Sequence, residues 1–136
     1  MAEHRRRNIS SNSPYEPLIG FSRAVRAGDT IYVSGTVAWG PEGKLVGPGD
    51  IYAQAKQAIA NIEAALSQAG ASLRDVVRTR IYVTNIDAWE AGVRAHKEAF
   101  GDIRPASTLV EVSRLAEPEM LVEIEAIAVV GLNVVP

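Results

Sequence analysis

Two glutamates, Glu123 and Glu125, stand two residues apart near the end of this sequence. Alternate residues of a β-strand share one face, so a strand here would point both carboxylates the same way. Such a pair serves acid/base catalysis when burial raises the pKa of one carboxyl group toward neutrality. The competing interpretation is cross-strand ion pairing with Arg78 or Arg80, which the residues taken alone favour.

A serine nucleophile is the second chemistry to consider. Ser107 would need a base within hydrogen-bond reach, and His96 is the one credible imidazole. The sequence gives no reason to place these two side chains together, so we interpret His96 as an exposed or partly buried helix residue. With no cysteine and only two histidines, neither a thiol nucleophile nor a metal site is expected, and no motif indicates a cofactor.

Ser34 and Gly35 form a third candidate at the end of a short apolar segment. A hydroxyl beside a backbone that lacks a side chain suits a binding cleft, because a ligand can approach the main chain closely. The alternative is that the strand ends here and needs glycine for a turn. The two interpretations are compatible.

Composition narrows the class of protein. The chain has 136 residues, of which 47% are hydrophobic and 22% charged, as expected for a single globular domain. A net charge of -2 offers no broad surface for phosphate backbones, so nucleic-acid binding is not expected. No apolar stretch is long enough for export or membrane insertion, and the lack of cysteine fits a reducing compartment, so we expect a cytoplasmic protein.

The N-terminal residues differ from the rest. His4 and three arginines, Arg5 to Arg7, precede a polar stretch that runs to Ser13. Three arginines are fewer than the clusters that mark nucleic-acid-binding arms, so we interpret residues 1–14 as a polar, solvated tail and residues 15–136 as the folded domain.

The elements that must position these groups follow from periodicity and turn residues. Apolar residues at helical spacing predict a helix from Ile51 to Ala69, with Asp50 as its cap and Gly70 as its stop. A second helix is expected from a cap at Asp87 to Phe100. The remaining segments predict five strands and one loop strand, in this order: 21–26, 30–34, a short strand at 44–46 inside loop 39–50, 76–84, 108–115, and 121–130, the last two joined as a hairpin.

This order indicates one α+β sheet with both helices on one face. In the last strand, one side carries small and aliphatic residues, whereas the other mixes Glu123 and Glu125 with Ile127 and Val129. In the strand at 76–84, Val77 is expected on the same side as Thr79, Ile81 and Val83. A sheet face that mixes carboxylates with large aliphatics is too apolar to leave in water, so we expect subunits to associate through it.

Several segments together resemble the RidA/YjgF family, also known as the endoribonuclease L-PSP family. The match preserves order and spacing over roughly residues 15 to 130 and includes these segments: Ile31 to Gly35, Gln54 to Gly70, Asp75 to Thr84, Arg104 to Ala106, Val110 to Leu115, and Val122 to Val129. The resemblance implies the chorismate-mutase-like fold and a homotrimer with clefts between its subunits.

The resemblance also implies a site. In the deaminating members, an arginine two residues after a proline holds the carboxylate of an imino acid, and a glutamate early in the last strand helps water attack the imine carbon. Glu123 matches that glutamate, but Ser107 stands at the arginine position after Pro105. A serine hydroxyl donates one neutral hydrogen bond, whereas guanidinium forms a bidentate, charge-assisted pair. Amino-acid-derived imines are therefore expected to bind poorly.

Other substrate-binding residues are assigned through the same resemblance. Phe21 stands where a tyrosine often lines the cleft, and Leu109 stands where a cysteine is often found. Ser34 and Gly35 are expected at the cleft as well. Arg94 falls where an asparagine is frequent and could bind an anion from a new direction, although an exposed helix arginine is the favoured interpretation.

The expected function is therefore binding of a small organic molecule in intersubunit clefts, with hydrolysis of an enamine or imine unlike the usual amino-acid-derived ones. One alternative is a non-catalytic module that senses a metabolite or acts on partner proteins. Endoribonuclease activity is a third possibility, which the acidic chain and the lack of a histidine pair in a basic groove disfavour.

Overall fold

A six-stranded mixed sheet with two α-helices packed on one face makes up the computed structural model, which describes residues 5–11 and 13–135. This arrangement confirms the α+β architecture expected from the sequence. The strands and helices have these bounds: β1 Arg6–Ile9, β2 Ala24–Ala27, β3 Thr30–Thr36, α1 Ile51–Gln68, β4 Val76–Val83, α2 Trp89–Phe100, β5 Ala106–Glu111 and β6 Val122–Val129.

Helix α1 is the central support of the sheet and begins and ends close to where the sequence predicts. The side chain of Asp50 accepts a hydrogen bond from the backbone N–H of Ala53, which satisfies one of the free donors of the first turn. Gly70, just beyond the helix, has a φ of 84°, a left-handed conformation that glycine adopts without strain. The apolar face of α1 packs against β3 and β6.

The order of strands in the sheet is β1-β2-β3-β6-β4-β5. The predicted hairpin of the last two strands is wrong, because β6 lies between β3 and β4 and is antiparallel to both. Strand β5 instead pairs in parallel with β4 at the sheet edge. A parallel partner requires a crossover connection, and α2 supplies it between β4 and β5.

The two faces of the sheet are sharply different, as the alternation in β6 predicts. Val122, Ile124, Ala126 and Ala128 are buried against the helices. The residues between them, including Glu123, are only half-buried on the open face. One detail of β4 was predicted wrongly, since an irregularity between Val76 and Arg78 leaves Val77 37% exposed instead of aligned with the core residues.

The N-terminal residues are not a solvated tail throughout. Strand β1 pairs with β2, and Ile9 is only 5% exposed. The guanidinium of Arg7 also donates a hydrogen bond of 2.9 Å to the carbonyl of Gln68 at the end of α1. The expectation failed for residues 6–9 because the outer edge of β2 offers unpaired backbone groups to a neighbouring segment. His4 lies outside the described residues.

Three local predictions need adjustment. Asn85, not Asp87, provides the cap, and it caps a short 3-10 turn, Ile86–Ala88, that precedes α2. The expected short strand at 44–46 is reduced to a single bridge between Trp39 and Leu45. The first strand of the predicted 21–26 hairpin begins at Ala24. Across residues 5–11 and 13–135, no helix has the length and apolarity to cross a membrane.

If β1 contributes to stability through its one buried side chain, Ile9→Ala should lower the free energy of unfolding by about 2 kcal/mol, the low end of the range for such core truncations. Arg6→Ala, on the exposed side of the same strand, is the matched control and should change it by less than about 0.5 kcal/mol. Chemical denaturation at one fixed protein concentration measures both. Equal effects would show that β1 does not pack as described.

Candidate functional site

Glu123 projects from β6 onto the open face of the sheet, where its carboxylate packs against the backbone of Gly35 at the end of β3. A Cβ atom at position 35 would lie 2.8 Å from the carboxyl carbon of Glu123, so this close approach requires glycine. Within the described residues, no hydrogen bond or ion pair engages the Glu123 carboxylate. Burial raises the pKa of Glu123, the guanidinium of Arg23 opposes that rise, and the nearby Glu125 carboxylate adds to it.

Among the described residues, Arg23 is the cation whose charge lowers the pKa of Glu123. The sequence did not lead us to this residue. Its side chain is buried, with the residue only 6% exposed, and donates hydrogen bonds of 2.8 Å to the Gly35 carbonyl and 2.9 Å to the Thr36 hydroxyl. Its Nε lies 3.9 Å from a carboxylate oxygen of the buried Glu16. Alternation within the predicted strand 21–26 could have identified it, because it places Arg23 on the same strand face as the apolar Phe21.

The arginine both binds the Gly35 carbonyl and acts electrostatically on Glu123. Burial lowers the pKa of Arg23, while Glu16 and Glu123 both raise it. The Arg23 guanidinium also lies 5.3 Å from the ring centroid of Phe21, a cation–π distance. Phe21, Gly35 and Thr36 therefore contact one buried guanidinium, and the charge of this guanidinium acts on Glu123. The Ser34 hydroxyl is already engaged, since it donates a 2.7 Å hydrogen bond to the carbonyl of Ser22.

Glu125 behaves differently from Glu123, although both lie on the same strand face. It forms an ion pair of 3.7 Å with Arg80 and accepts a hydrogen bond from the hydroxyl of Tyr82. That hydrogen bond is the main reason why the pKa of Tyr82 is raised. The ion-pairing interpretation therefore holds for Glu125, whereas Glu123 is left as the carboxylate without a direct partner among the described side chains.

Ser107 lies on edge strand β5, directly opposite Thr79 of β4. Thr79 donates a hydrogen bond of 2.8 Å to the Ser107 hydroxyl, and its oxygen lies 2.8 Å from Nε2 of His96 on α2. The structure thus joins Ser107 and His96 through a residue that the sequence did not single out. No local pattern could have found this group, because its three members come from three separate elements.

Within one chain, Ser107 and Glu123 do not meet. Thr79 is fully buried on the helix-covered side of the sheet, and Ser107 shares that side, whereas Glu123 lies on the opposite face. Leu109, two residues after Ser107 on β5, packs against the core cluster. The sequence-assigned residues therefore fall into two groups, one around Arg23 and one at the β5 edge.

Arg94 belongs to neither group. It is exposed on α2, and its guanidinium lies 3.9 Å from the ring centroid of Tyr52 on α1. Tyr52 in turn donates a 2.6 Å hydrogen bond to Glu98. In the described part of the chain, no contact joins Arg94 to Glu123 or Ser107, so within a single subunit it is a surface arginine that stacks on a tyrosine.

A separate cavity of about 210 Å³ lies between α1 and the end of β3. Arg23 and Thr36 line it from the sheet, and Gln57 and Asn61 line it from α1. Asn61 donates hydrogen bonds to two loop carbonyls, those of Val37 and Trp39, which fixes the loop over the cavity. Nowhere in residues 5–11 and 13–135 do three histidine or carboxylate side chains cluster as metal ligands would.

Comparisons with known proteins agree on one family. The family model described as Endoribonuclease L-PSP matches residues 11–130. A RutC family protein of Pyrococcus abyssi is 40% identical over 113 residues, 83% of this chain and 88% of that protein. A 2-iminobutanoate/2-iminopropanoate deaminase of Dermatophagoides farinae is 33% identical over 125 residues, 92% of this chain and 97% of the relative.

A solved structure gives the same result for the fold. The crystal structure of a Mycobacterium tuberculosis protein, described as a member of the YjgF/YER057c/UK114 family, superposes with a TM-score of 0.84 and 49% sequence identity. The match covers 93% of this chain and all of the other. The fold of this chain is therefore the fold of that family.

The contact between Gly35 and Glu123 can be tested by Gly35→Ala. The new methyl group must displace the Glu123 carboxylate, because the end of a flexible side chain moves more easily than the backbone. We expect the pKa of Glu123 to fall toward its usual value as the carboxylate moves into water, while the fold is retained. NMR titration of the glutamate carboxyl carbons measures this, and Gly92→Ala on α2, where an added Cβ makes only ordinary van der Waals contacts, is the control. An unchanged pKa would contradict the described contact.

Proposed function

Because the chain belongs to the RidA/YjgF family, we propose that it works as a cytoplasmic homotrimer that binds a small organic molecule in the clefts between subunits and hydrolyses an enamine or imine there. The observation that carries this proposal is the Glu123 carboxylate, which is half-buried against Gly35 and has no hydrogen-bond partner among residues 5–11 and 13–135. A general base needs this combination of a raised pKa and a free proton-accepting oxygen.

The reaction follows from that geometry. Protonation of an enamine on carbon gives an iminium ion, and water attacks its carbon while deprotonated Glu123 accepts a proton of the water. A carbon–oxygen bond forms, and the electron pair of the C=N π bond moves to nitrogen, which gives a neutral carbinolamine. The protonated carboxyl group then returns its proton to nitrogen, and the carbon–nitrogen bond breaks with its electron pair leaving on ammonia. The hydroxyl group of the carbinolamine gives its proton to the Glu123 carboxylate as the carbonyl compound forms. No cofactor is required for this balance.

The need for more than one subunit is supported by where the residues lie. Glu123 and Ser107 point to opposite sides of the sheet in one chain, so a site that uses both must combine residues of two chains. The open face also carries exposed Tyr32 together with half-buried Ile127 and Val129, an apolar surface suited to association. Both features favour clefts formed at subunit contacts.

The substrate should differ from those of arginine-bearing relatives. The deaminase of Dermatophagoides farinae is named for 2-iminobutanoate and 2-iminopropanoate, which are both carboxylates. Ser107 occupies the position through which such carboxylates are held in the arginine-bearing members, and a hydroxyl supplies no charge. We therefore propose that this chain acts on substrates without a carboxylate beside the imine.

The role of Glu123 can be measured with 3-aminocrotonamide, an uncharged enamine that yields acetoacetamide and ammonia. Glu123→Gln should lower kcat by about 100-fold or more, because the amide cannot accept a proton. The wild-type rate should rise with pH through the pKa of Glu123, which lies above the usual glutamate value, and this limb should vanish in the variant.

Glu125→Gln is the matched control, since Glu125 is held by Arg80 and Tyr82. It should keep most of the activity and move the pH limb downward, because a carboxylate that raises the pKa of Glu123 has been removed. A wild-type protein that is stabilised thermally by the probe but shows no turnover would replace the hydrolase proposal with a non-catalytic binding module. RNA cleavage that persists in Glu123→Gln would point to a nuclease site elsewhere.

The role of position 107 is tested with 2-aminoacrylate generated enzymatically. The wild-type protein should release ammonia from it more slowly than an arginine-bearing relative does. Ser107→Arg should raise that rate about tenfold or more, because a charge-assisted hydrogen bond to the carboxylate is restored. Ser107 is exposed, so the longer side chain can be accommodated. Ser67→Arg, which adds the same charge on an exposed position of α1, should give no gain; equal gains would refute this account of Ser107.

A further inference from the structure

Ser107, Thr79 and His96 form a continuous chain of hydrogen bonds that runs from the surface into the core. Ser107 is exposed on β5, Thr79 is fully buried on β4, and His96 is half-buried on α2. Both links are 2.8 Å long, which is within the normal range for strong neutral hydrogen bonds. The outer end of the chain is a hydroxyl group open to a ligand, and its inner end is an imidazole.

The inner end is uncharged at neutral pH. The His96 ring packs on Phe100 with a centroid distance of 4.7 Å, and burial lowers its pKa. A neutral imidazole has one N–H donor and one bare nitrogen acceptor, and either tautomer can place Nε2 toward Thr79. The three side chains therefore carry no net charge, and the hydrogen bonds between them can run in either direction.

The direction of these hydrogen bonds determines whether the Ser107 hydroxyl donates a hydrogen bond to a ligand or accepts one from it. When Nε2 of His96 carries the proton, it donates to Thr79, Thr79 donates to Ser107, and the Ser107 O–H is free to donate to a ligand carbonyl. When Nε2 is bare, Ser107 donates to Thr79, Thr79 donates to His96, and the Ser107 oxygen offers lone pairs to a ligand N–H. Rotation of two hydroxyl groups and a tautomer change in one ring interconvert the two states.

We propose that Ser107, Thr79 and His96 form a reversible hydrogen-bond relay that recognises an uncharged carboxamide group of the ligand in place of a carboxylate. A primary carboxamide presents a carbonyl acceptor and an N–H donor, so it can satisfy the relay in either direction. This inference rests on the proposed function for its location in the ligand cleft, and it extends that function by naming the substrate class as amides of 2-imino or 3-enamino acids.

Selectivity against carboxylates follows from desolvation. A carboxylate is an acceptor only and loses strong hydration when it enters a cleft. The relay can return one neutral hydrogen bond to it, which does not offset that loss. An amide of the same shape gives up less hydration and forms the same contact. The Arg78 guanidinium donates a 2.8 Å hydrogen bond to the Thr108 hydroxyl, which lies on the strand face opposite to that of Ser107. Arg23 donates its Nη1 hydrogen bonds to Gly35 and Thr36 of β3.

The test compares pyruvamide with pyruvate, two probes of equal shape that differ in charge. At pH 7.5, pyruvamide should bind at least tenfold more tightly to the intact protein by NMR titration. Its binding should also shift the ring ¹⁵N signals of His96, because a bound amide in one orientation favours one direction of the relay, and that direction sets the tautomer. Only two histidines are present, so His4→Asn assigns the His96 signals.

Two variants separate the relay from a general effect on the fold. Ser107→Ala removes the surface hydroxyl, and Thr79→Val removes the buried one while keeping its shape. Each should weaken pyruvamide binding and abolish the His96 response, whereas Ser67→Ala on the exposed side of α1 should change neither. Should Thr79→Val fail to fold, Ser107→Ala alone decides the question because its site is exposed.

Three results would each overturn the relay: no saturable binding of pyruvamide, equal or tighter binding of pyruvate, and pyruvamide binding that leaves His96 unmoved. None of them depends on turnover, so they remain separate from the assay with 3-aminocrotonamide. If that enamine is hydrolysed but pyruvamide fails these criteria, the hydrolase proposal is supported and the relay proposal is wrong. If pyruvamide binds as expected without any enamine turnover, the relay proposal is supported and the hydrolase proposal is wrong.

Discussion

The period of two residues along β6 is the constraint on which the other features depend. It sends Val122 and Ile124 into the core and leaves the residue between them, Glu123, on the side that the chain cannot cover with its own helices. Gly35 then lets the backbone of β3 approach this carboxylate so closely that water is partly excluded from it. The pKa of Glu123 rises for that reason. A single register shift of β6 would bury the glutamate in the core and expose the aliphatic residues.

The parallel placement of β5 has an equally wide effect. Because α2 carries the chain across the helix-covered face before β5 begins, Ser107 lies beside His96 and Thr79 and not beside Glu123. An antiparallel hairpin with β6 would have brought the last two strands together and changed every contact of Ser107. The separation of acid and hydroxyl within one subunit is thus a result of topology. It makes association between subunits a requirement of any site that uses both.

Much of the fold could be predicted from sequence, and the misses have physical causes. Helix α1 was predicted well because its apolar period, cap and terminal glycine all agree. The hairpin prediction failed because two strands adjacent in sequence give no sign of which neighbour each will pair with. Strand β1 was missed because its partner, the free edge of β2, is a property of the assembled sheet. Arg23 and Thr79 were missed for a similar reason, since burial and hydrogen bonds between elements have no local sequence pattern.

Strand β1 has an effect that reaches beyond its own contacts. By covering β2, it closes one side of the sheet, and in the described part of the chain it leaves β5 as the opposite border. Backbone groups of β5 that face away from β4 are therefore available for main-chain pairing with an extended peptide or another strand. The strand that carries Ser107 is also the strand at which the sheet could be lengthened. Any such addition would pass directly beside the exposed hydroxyl and restrict access to it.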